Sequence, residues 1–235
     1  MMKFLKCGEF VSATILILIL AASAQAQTIA QWTFETSQPS GSPGAGNYLT
    51  NIAAEVGSGT GSGWHAGAST YSTPVGDGSV HSFSSSLWAV GDFYQFDTST
   101  VGYSGIRVEW DQASSGTGPG FGHLQYSTDG NTFTPFGSDY SIVVNATPNA
   151  WSSATYNPLF HYTVDLSSVT ALNNDSTVWF RLVDPNTTSA NGGTVGTAGT
   201  DRVDNFTVEV VPEPHSLALL GGFGILAWNF VRRRK

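Results

Sequence analysis

Cysteine and lysine are nearly missing from this 235-residue chain. The one cysteine, Cys7, and two of the three lysines, Lys3 and Lys6, fall within the first seven residues; Lys235 is the last residue. The body therefore has no disulfide, no thiolate metal site and no cysteine nucleophile. Positive charge is equally scarce. From Gln27 to Val211, Arg107, Arg181 and Arg202 stand against fifteen acids, a net charge near −12. Such a surface repels nucleic acid and anionic lipid and attracts cations, so no nucleic-acid partner is expected. Histidines 65, 81, 123, 161 and 215 form no His-x-His or His-x-x-x-His pair, which argues against zinc. There is no Gly-x-Ser-x-Gly elbow, and no histidine stands in a suggestive setting. The glycine-rich "ANGGTVGTAGTD" lacks the strand–helix frame and the lysine of a phosphate loop. The expectation is a protein that is not an enzyme.

What is present begins with a secretory signal. Lys3 and Lys6 precede an apolar run, Val11 to Ala22, and Ala24-Gln25-Ala26 fits the small-x-small cleavage pattern. Residues 1–26 are read as a signal helix, with the mature chain starting at Gln27. Residues 27–211 are read as one domain, and residues 212–235 as a separate tail.

The domain is rich in Gly, Ser, Thr and Asn, and aromatics make up 12% of the chain. A long 3.6-residue period is missing, whereas short period-2 segments recur. Ile29 to Phe34 reads as a first strand, and Ser37 to Ser72 as mostly loop. Leu87 to Val90, Phe93 to Asp97 and Gly105 to Asp111 follow as strands. In the last of these, Ile106, Val108 and Trp110 oppose Arg107, Glu109 and Asp111. His123 to Phe136 reads as a hairpin turning at Asp129-Gly130. Phe160 to Leu166, Val178 to Val183 and Arg202 to Val210 complete the set. The fold expected is all-β: a two-sheet antiparallel β-sandwich of the jelly-roll kind, with an N-terminal signal helix and a C-terminal transmembrane helix.

Three sets of residues invite a functional reading. On strict strand parity Asp204 shares a face with Phe206, Val208 and Val210. A carboxylate aimed at a core is costly unless it is paired or bound to a cation. Arg202 lies on the same face and could pair with it. Glu35, just after the first strand, is a candidate partner for a shared structural calcium. A salt bridge or turn hydrogen bonds would serve the same residues without a metal. Trp64 and Trp151 stand in loop-like surroundings and either form a sugar-stacking platform or cover the open ends of the sandwich. The tryptophans at 32, 88, 110 and 179 are expected in the core. Glu109 and Asp111 are about 7 Å apart by strand rise, a spacing open to glycosidase carboxylates, although alternating charge on a strand is ordinarily a solvated face.

The tail is the most specific part of the sequence. Ser216 to Val231 is a mostly apolar run that would give about 24 Å of helix, short of a bilayer core of about 30 Å. Pro212 and Pro214 mark an extended segment before it, and Arg232-Arg233-Arg234-Lys235 would stay in the cytoplasm. Pro212-Glu213-Pro214, then Leu219-Leu220-Gly221 within the apolar run, then the basic block resemble the PEP-CTERM sorting signal of Gram-negative bacteria. That resemblance implies an exosortase-type membrane transpeptidase as partner. It also implies a transient stay in the inner membrane and final delivery to the cell surface or extracellular matrix. The segments "YSGIRVEWDQASSGTGPG", "LQYSTDGNTFTPF" and "GTDRVDNFTV" resemble secreted jelly-roll carbohydrate-binding modules. In several of these, positions matching Glu35 and Asp204 help to hold a structural calcium. The function expected is an exported surface or biofilm-matrix protein, with a polysaccharide-binding module and, more weakly, a polysaccharide hydrolase as alternatives.

Overall fold

The computed structural model of the chain describes residues 26–211. The signal run with Ala24, the Pro212–Pro214 motif, the transmembrane run and the basic block all lie outside the described residues. The described residues form one compact unit with their own hydrophobic core.

Twelve strands run through the described residues: β1 Gln27–Trp32, β2 Tyr48–Ala53, β3 Gly59–Trp64, β4 Thr70–Ser72, β5 Phe83–Ser86, β6 Phe93–Thr98, β7 Ile106–Ser114, β8 Phe121–Ser127, β9 Thr134–Ser141, β10 His161–Asp165, β11 Val178–Val183 and β12 Thr200–Val210. They form two antiparallel sheets of six strands. The first has the order β10-β7-β12-β5-β4, with β1 also on β12; the second has the order β2-β3-β6-β11-β8-β9. Period-2 alternation turns one face of each sheet inward. Ile106, Val108, Trp110, Val203, Phe206 and Val208 of the first sheet meet Tyr94, Phe96, Leu124, Val178, Phe180 and Leu182 of the second. At the centre Phe96 and Phe206 stack at 3.9 Å and 12°.

The fold class matches the sequence reading, and several segments differ from it. The stretch read as mostly loop, Ser37 to Ser72, contains β2, β3 and β4. β3 is "GTGSGW" and has no apolar alternation of its own. Its inward positions are filled from outside, by Ile52 and Phe96 at Gly61 and by the Tyr71 ring at Gly63. Leu87 to Val90 is not a strand. Leu87 has φ +66° and is exposed, and the ladder is made instead by β5, "FSSS".

The largest correction concerns β12. The register slips between Asp204 and Thr207, and Asn205 sits at φ +51°. This is a bulge, which moves one residue out of the alternation. Beyond it Phe206 and Val208 point inward as expected. Before it the inward residues are Val203 and Asp201, and Asp204 lies on the outer face opposite Asp111.

Candidate functional site

Asp204 and Glu35 both grip the segment that leads into β5. Asp204 Oδ2 accepts from the Asp77 amide at 3.0 Å and from the Ser79 hydroxyl at 2.5 Å, and Oδ1 accepts from the Asn205 amide at 2.8 Å. Glu35 Oε1 accepts from the amides of Val80 and His81, both at 2.9 Å, and Oε2 lies 3.3 Å from His81 Nδ1. Gly76 lets the chain pass this close, since a side chain there would run into Asp204 Oδ2 and the His81 carbonyl. Burial pushes the Asp204 carboxyl up to about 7, against its three hydrogen bonds and with the help of Asp111. Neighbouring Asp77 is pushed up to about 6 by burial, although the Asn157 amide bonds it. Apart from the Asn205 amide, the donors around both expected calcium ligands are thus groups of one short segment, Asp77 to His81. Among the described residues no three His, Cys, Asp or Glu side chains gather at metal-ligating spacing. No ion pair joins Arg202 to Asp204 among them either.

Glu109 and Asp111 are not a free catalytic pair. Asp111 is buried, with Oδ1 2.9 Å from His161 Nδ1 and Oδ2 accepting from Asn205 Nδ2 at 2.8 Å. Glu109 lies beside Arg107, which binds Glu209.

One chain of residues was not visible in the sequence. His65 Nδ1 lies 3.0 Å from Asp92 Oδ2, and His65 Nε2 lies 3.1 Å from Ser85 Oγ. The spacing is that of a Ser–His–Asp triad. The side chains of His65 and Asp92 are 0% exposed, Ser85 is buried, and its hydroxyl donates to Tyr94. Tyr71 and Trp88 pack against the His65 ring. No substrate carbonyl can reach Ser85 Oγ, so the three residues act as a polar network inside the core.

The two loop tryptophans separate. Trp151 is 4% exposed, packs on Phe160 and donates to the Val75 carbonyl, so it covers the sandwich and offers no ring to a ligand. Trp64 is not in a loop. It ends β3, half-buried, on the outer face of the second sheet, where it stacks on Phe93 at 5.4 Å and 18°. Its indole donates to the Gly46 carbonyl. Exposed Tyr48 stands against both rings, at 6.5 and 6.1 Å. The row continues through Arg181, whose guanidinium carbon lies 3.8 Å from the Phe93 ring centre and 3.4 Å from that of Phe133. Arg181 Nε donates to Gln95 at 2.8 Å and Nη2 to the Tyr48 hydroxyl at 3.4 Å, which fixes its plane. Trp179, expected in the core, is half-buried on this same outer face and packs over Gly130. Tyr48, Trp64, Phe93, Arg181 and Phe133 therefore form a continuous strip across the sheet, in which Phe93 is buried between Trp64 and Arg181, with Gln95 and Gln125 beside it.

A cavity of about 190 Å³ opens between edge strands β9 and β10, lined by Trp110, Phe136, Tyr140 and Tyr162. Its hydroxyls are engaged internally, Tyr140 with Gln112 at 2.8 Å and Tyr162 with the Ser141 carbonyl at 3.0 Å. Few polar groups are left there to orient a ligand.

Residues 210–235 match the PEP-CTERM protein-sorting motif, so the chain carries this motif and is an exported protein. A search of curated proteins finds no match. Among solved structures the sandwich is similar to CtCBM11, at 10% identity and TM-score 0.40, over 83% of this chain and 100% of that one. It is also similar to the carbohydrate binding module CBM6cm-2 from Cellvibrio mixtus lichenase 5A, solved with cellotriose. There the identity is 14% and the TM-score 0.31, over 79% and 100% of the two chains. TmCBM61, solved with beta-1,4-galactotriose, is similar at 12% identity and TM-score 0.31, over 75% and 93%.

Proposed function

We propose that the sandwich binds a neutral polysaccharide through the outer face of its second sheet, at the cell surface or in the extracellular matrix to which the sorting tail delivers it. The strip Tyr48–Trp64–Phe93–Arg181–Phe133 carries this reading. A sugar ring has an apolar face and a rim of hydroxyls. Exposed Tyr48 and half-buried Trp64 and Phe133 suit the face, and the Gln95 and Gln125 amides, the Tyr48 hydroxyl and the guanidinium suit the rim. Arg181 is held between two rings and presents a fixed plane. The net charge near −12 works against polyanions and favours a neutral chain. On this reading an exosortase-type transpeptidase processes the tail after a stay in the inner membrane.

Affinity electrophoresis of Gln27–Val211 in gels holding neutral glucans, galactans or mannans tests the proposal. Retardation is expected with at least one polymer. Trp64→Ala and Phe133→Ala are each expected to weaken it about ten-fold, as loss of a central aromatic contact does. Equal migration in every gel, or retardation untouched by both substitutions, rules the strip out.

A further inference from the structure

The bulge in β12 transfers the core-facing carboxylate from Asp204 to Asp201. Asp201 is 1% exposed and points between the sheets, where Oδ1 accepts from Gln112 Nε2 at 3.0 Å. Its Oδ2 is buried and meets no donor. Asp184, just past the end of β11, is 3% exposed; Oδ1 accepts from the Asn186 amide at 3.3 Å, and Oδ2 likewise meets no donor. Both side chains line one small cavity of about 10 Å³, with Gln112, Trp88, Pro119, Phe121 and Gly122. The cavity suits a guest of about one water's size.

Two bare carboxylate oxygens on one buried cavity demand an explanation, because a buried charge without a partner is costly. Burial pushes both groups up, Asp184 to about 6, and the Asp184 charge adds to the cost of ionising Asp201. Arg202, the nearest cation, is half-buried and forms no ion pair with either. Only three sources of positive charge can satisfy the pair: a shared proton, the protons of water, or a cation.

We infer that Asp184 and Asp201 form a calcium site inside the sandwich, separate from Glu35 and Asp204. A hard divalent cation neutralises both carboxylates at once and takes oxygen ligands, of which the two bare carboxylate oxygens are the first pair. Calcium takes six to eight oxygen ligands in all, so main-chain oxygens of the lining residues would have to complete the set. The protein is exported, and extracellular modules bind calcium at about 10⁻⁴–10⁻³ M. The site ties the start of β12 to the end of β11, and so joins the two sheets.

Two measurements on Gln27–Val211 test the inference. In the first, melting is followed in chelator and in calcium at about a hundred times Kd; a rise of about 5–10 °C is expected. Asp201→Asn and Asp184→Asn each abolish the rise, whereas Glu35→Gln retains it. In the second, terbium is titrated and its luminescence is excited through tryptophan. Trp88 lines the cavity, so sensitised emission is expected that calcium competes away and Trp88→Phe removes. Absence of both the melting shift and the emission overturns the site and leaves a shared proton between the carboxylates. A melting rise that Glu35→Gln removes and Asp201→Asn keeps overturns it in favour of the other pair.

Discussion

Asn205 decides which carboxylate meets the core. Its positive φ is one that Asn tolerates better than most residues, and the bulge it makes reverses the parity of everything before it. Asp204 then stands directly opposite Asp111 on the outer face, two like charges across a ladder. The consequence is a pH dependence of stability. The carboxyls of Asp204, at about 7, and of Asp77 and Asp184, at about 6, all lie above the usual unfolded value near 3.9. A raised folded value means that the folded state holds the proton more tightly. The stability this contributes is complete below the unfolded value and is lost as pH rises through 6 to 7. In chelator, the melting temperature is expected to fall between pH 5 and pH 8, and Asp204→Asn to flatten that fall. A melting temperature that climbs over this window contradicts the assignment. At this scale strand parity named Asp204 as the carboxylate aimed at the core, and the bulge puts Asp201 there instead. Strict alternation has no sign for a bulge, and the only hint was an Asn inside an apolar strand. The Asp92–His65–Ser85 network was equally hidden, because the three residues are brought together only by the pairing of distant strands.

At the scale of elements, what could be read was what local pattern controls. The apolar run Val178 to Val183 and the alternating start of β7 were both placed as strands, although Trp179 and Arg181 are half-buried where burial on both sides was expected. The β8–β9 turn was also legible. Gly130 has φ +71°, and Asp129 accepts from the amides of Asn131 and Thr132, which pull its carboxyl down to about 2. A side chain at Gly130 would be strained and would press on the Trp179 ring. Gly130→Ala is therefore expected to cost at least about 1 kcal/mol in denaturant unfolding, with the slope unchanged. Equal midpoints would show that the turn tolerates a Cβ. By contrast β3 could not be read, since its cohesion comes from Ile52, Phe96 and Tyr71 filling the spaces over its glycines. The aromatic strip was half legible for the same reason. Trp64 stood out, but Tyr48, Phe93, Arg181 and Phe133 become its neighbours only through cross-strand pairing and the hairpin.

For the whole molecule, charge and sorting are the properties the sequence carried most directly. Cations are concentrated outside the sandwich, and the motif at residues 210–235 fixes the chain as exported. Replacing Arg232, Arg233, Arg234 and Lys235 with neutral residues is expected to leave the protein in the membrane fraction or misoriented, read by cell fractionation and protease accessibility. Normal delivery of that variant would separate sorting from the basic block. The fold class was equally legible, because short strands, turn residues and abundant aromatics leave few other architectures.

The position of β12 also bears on how the protein withstands pulling. Gln27 pairs with Val210, so the chain enters and leaves the sandwich at one end, and β12 runs from there between β1 and β5 on one side and β7 on the other. If the C-terminus is the tether and a polymer grips the second sheet, the load passes along β12. Its flanking hydrogen bonds then bear tension together in shear and do not peel open in turn. Survival under drag would depend on the rate at which that strand slips, not on equilibrium stability.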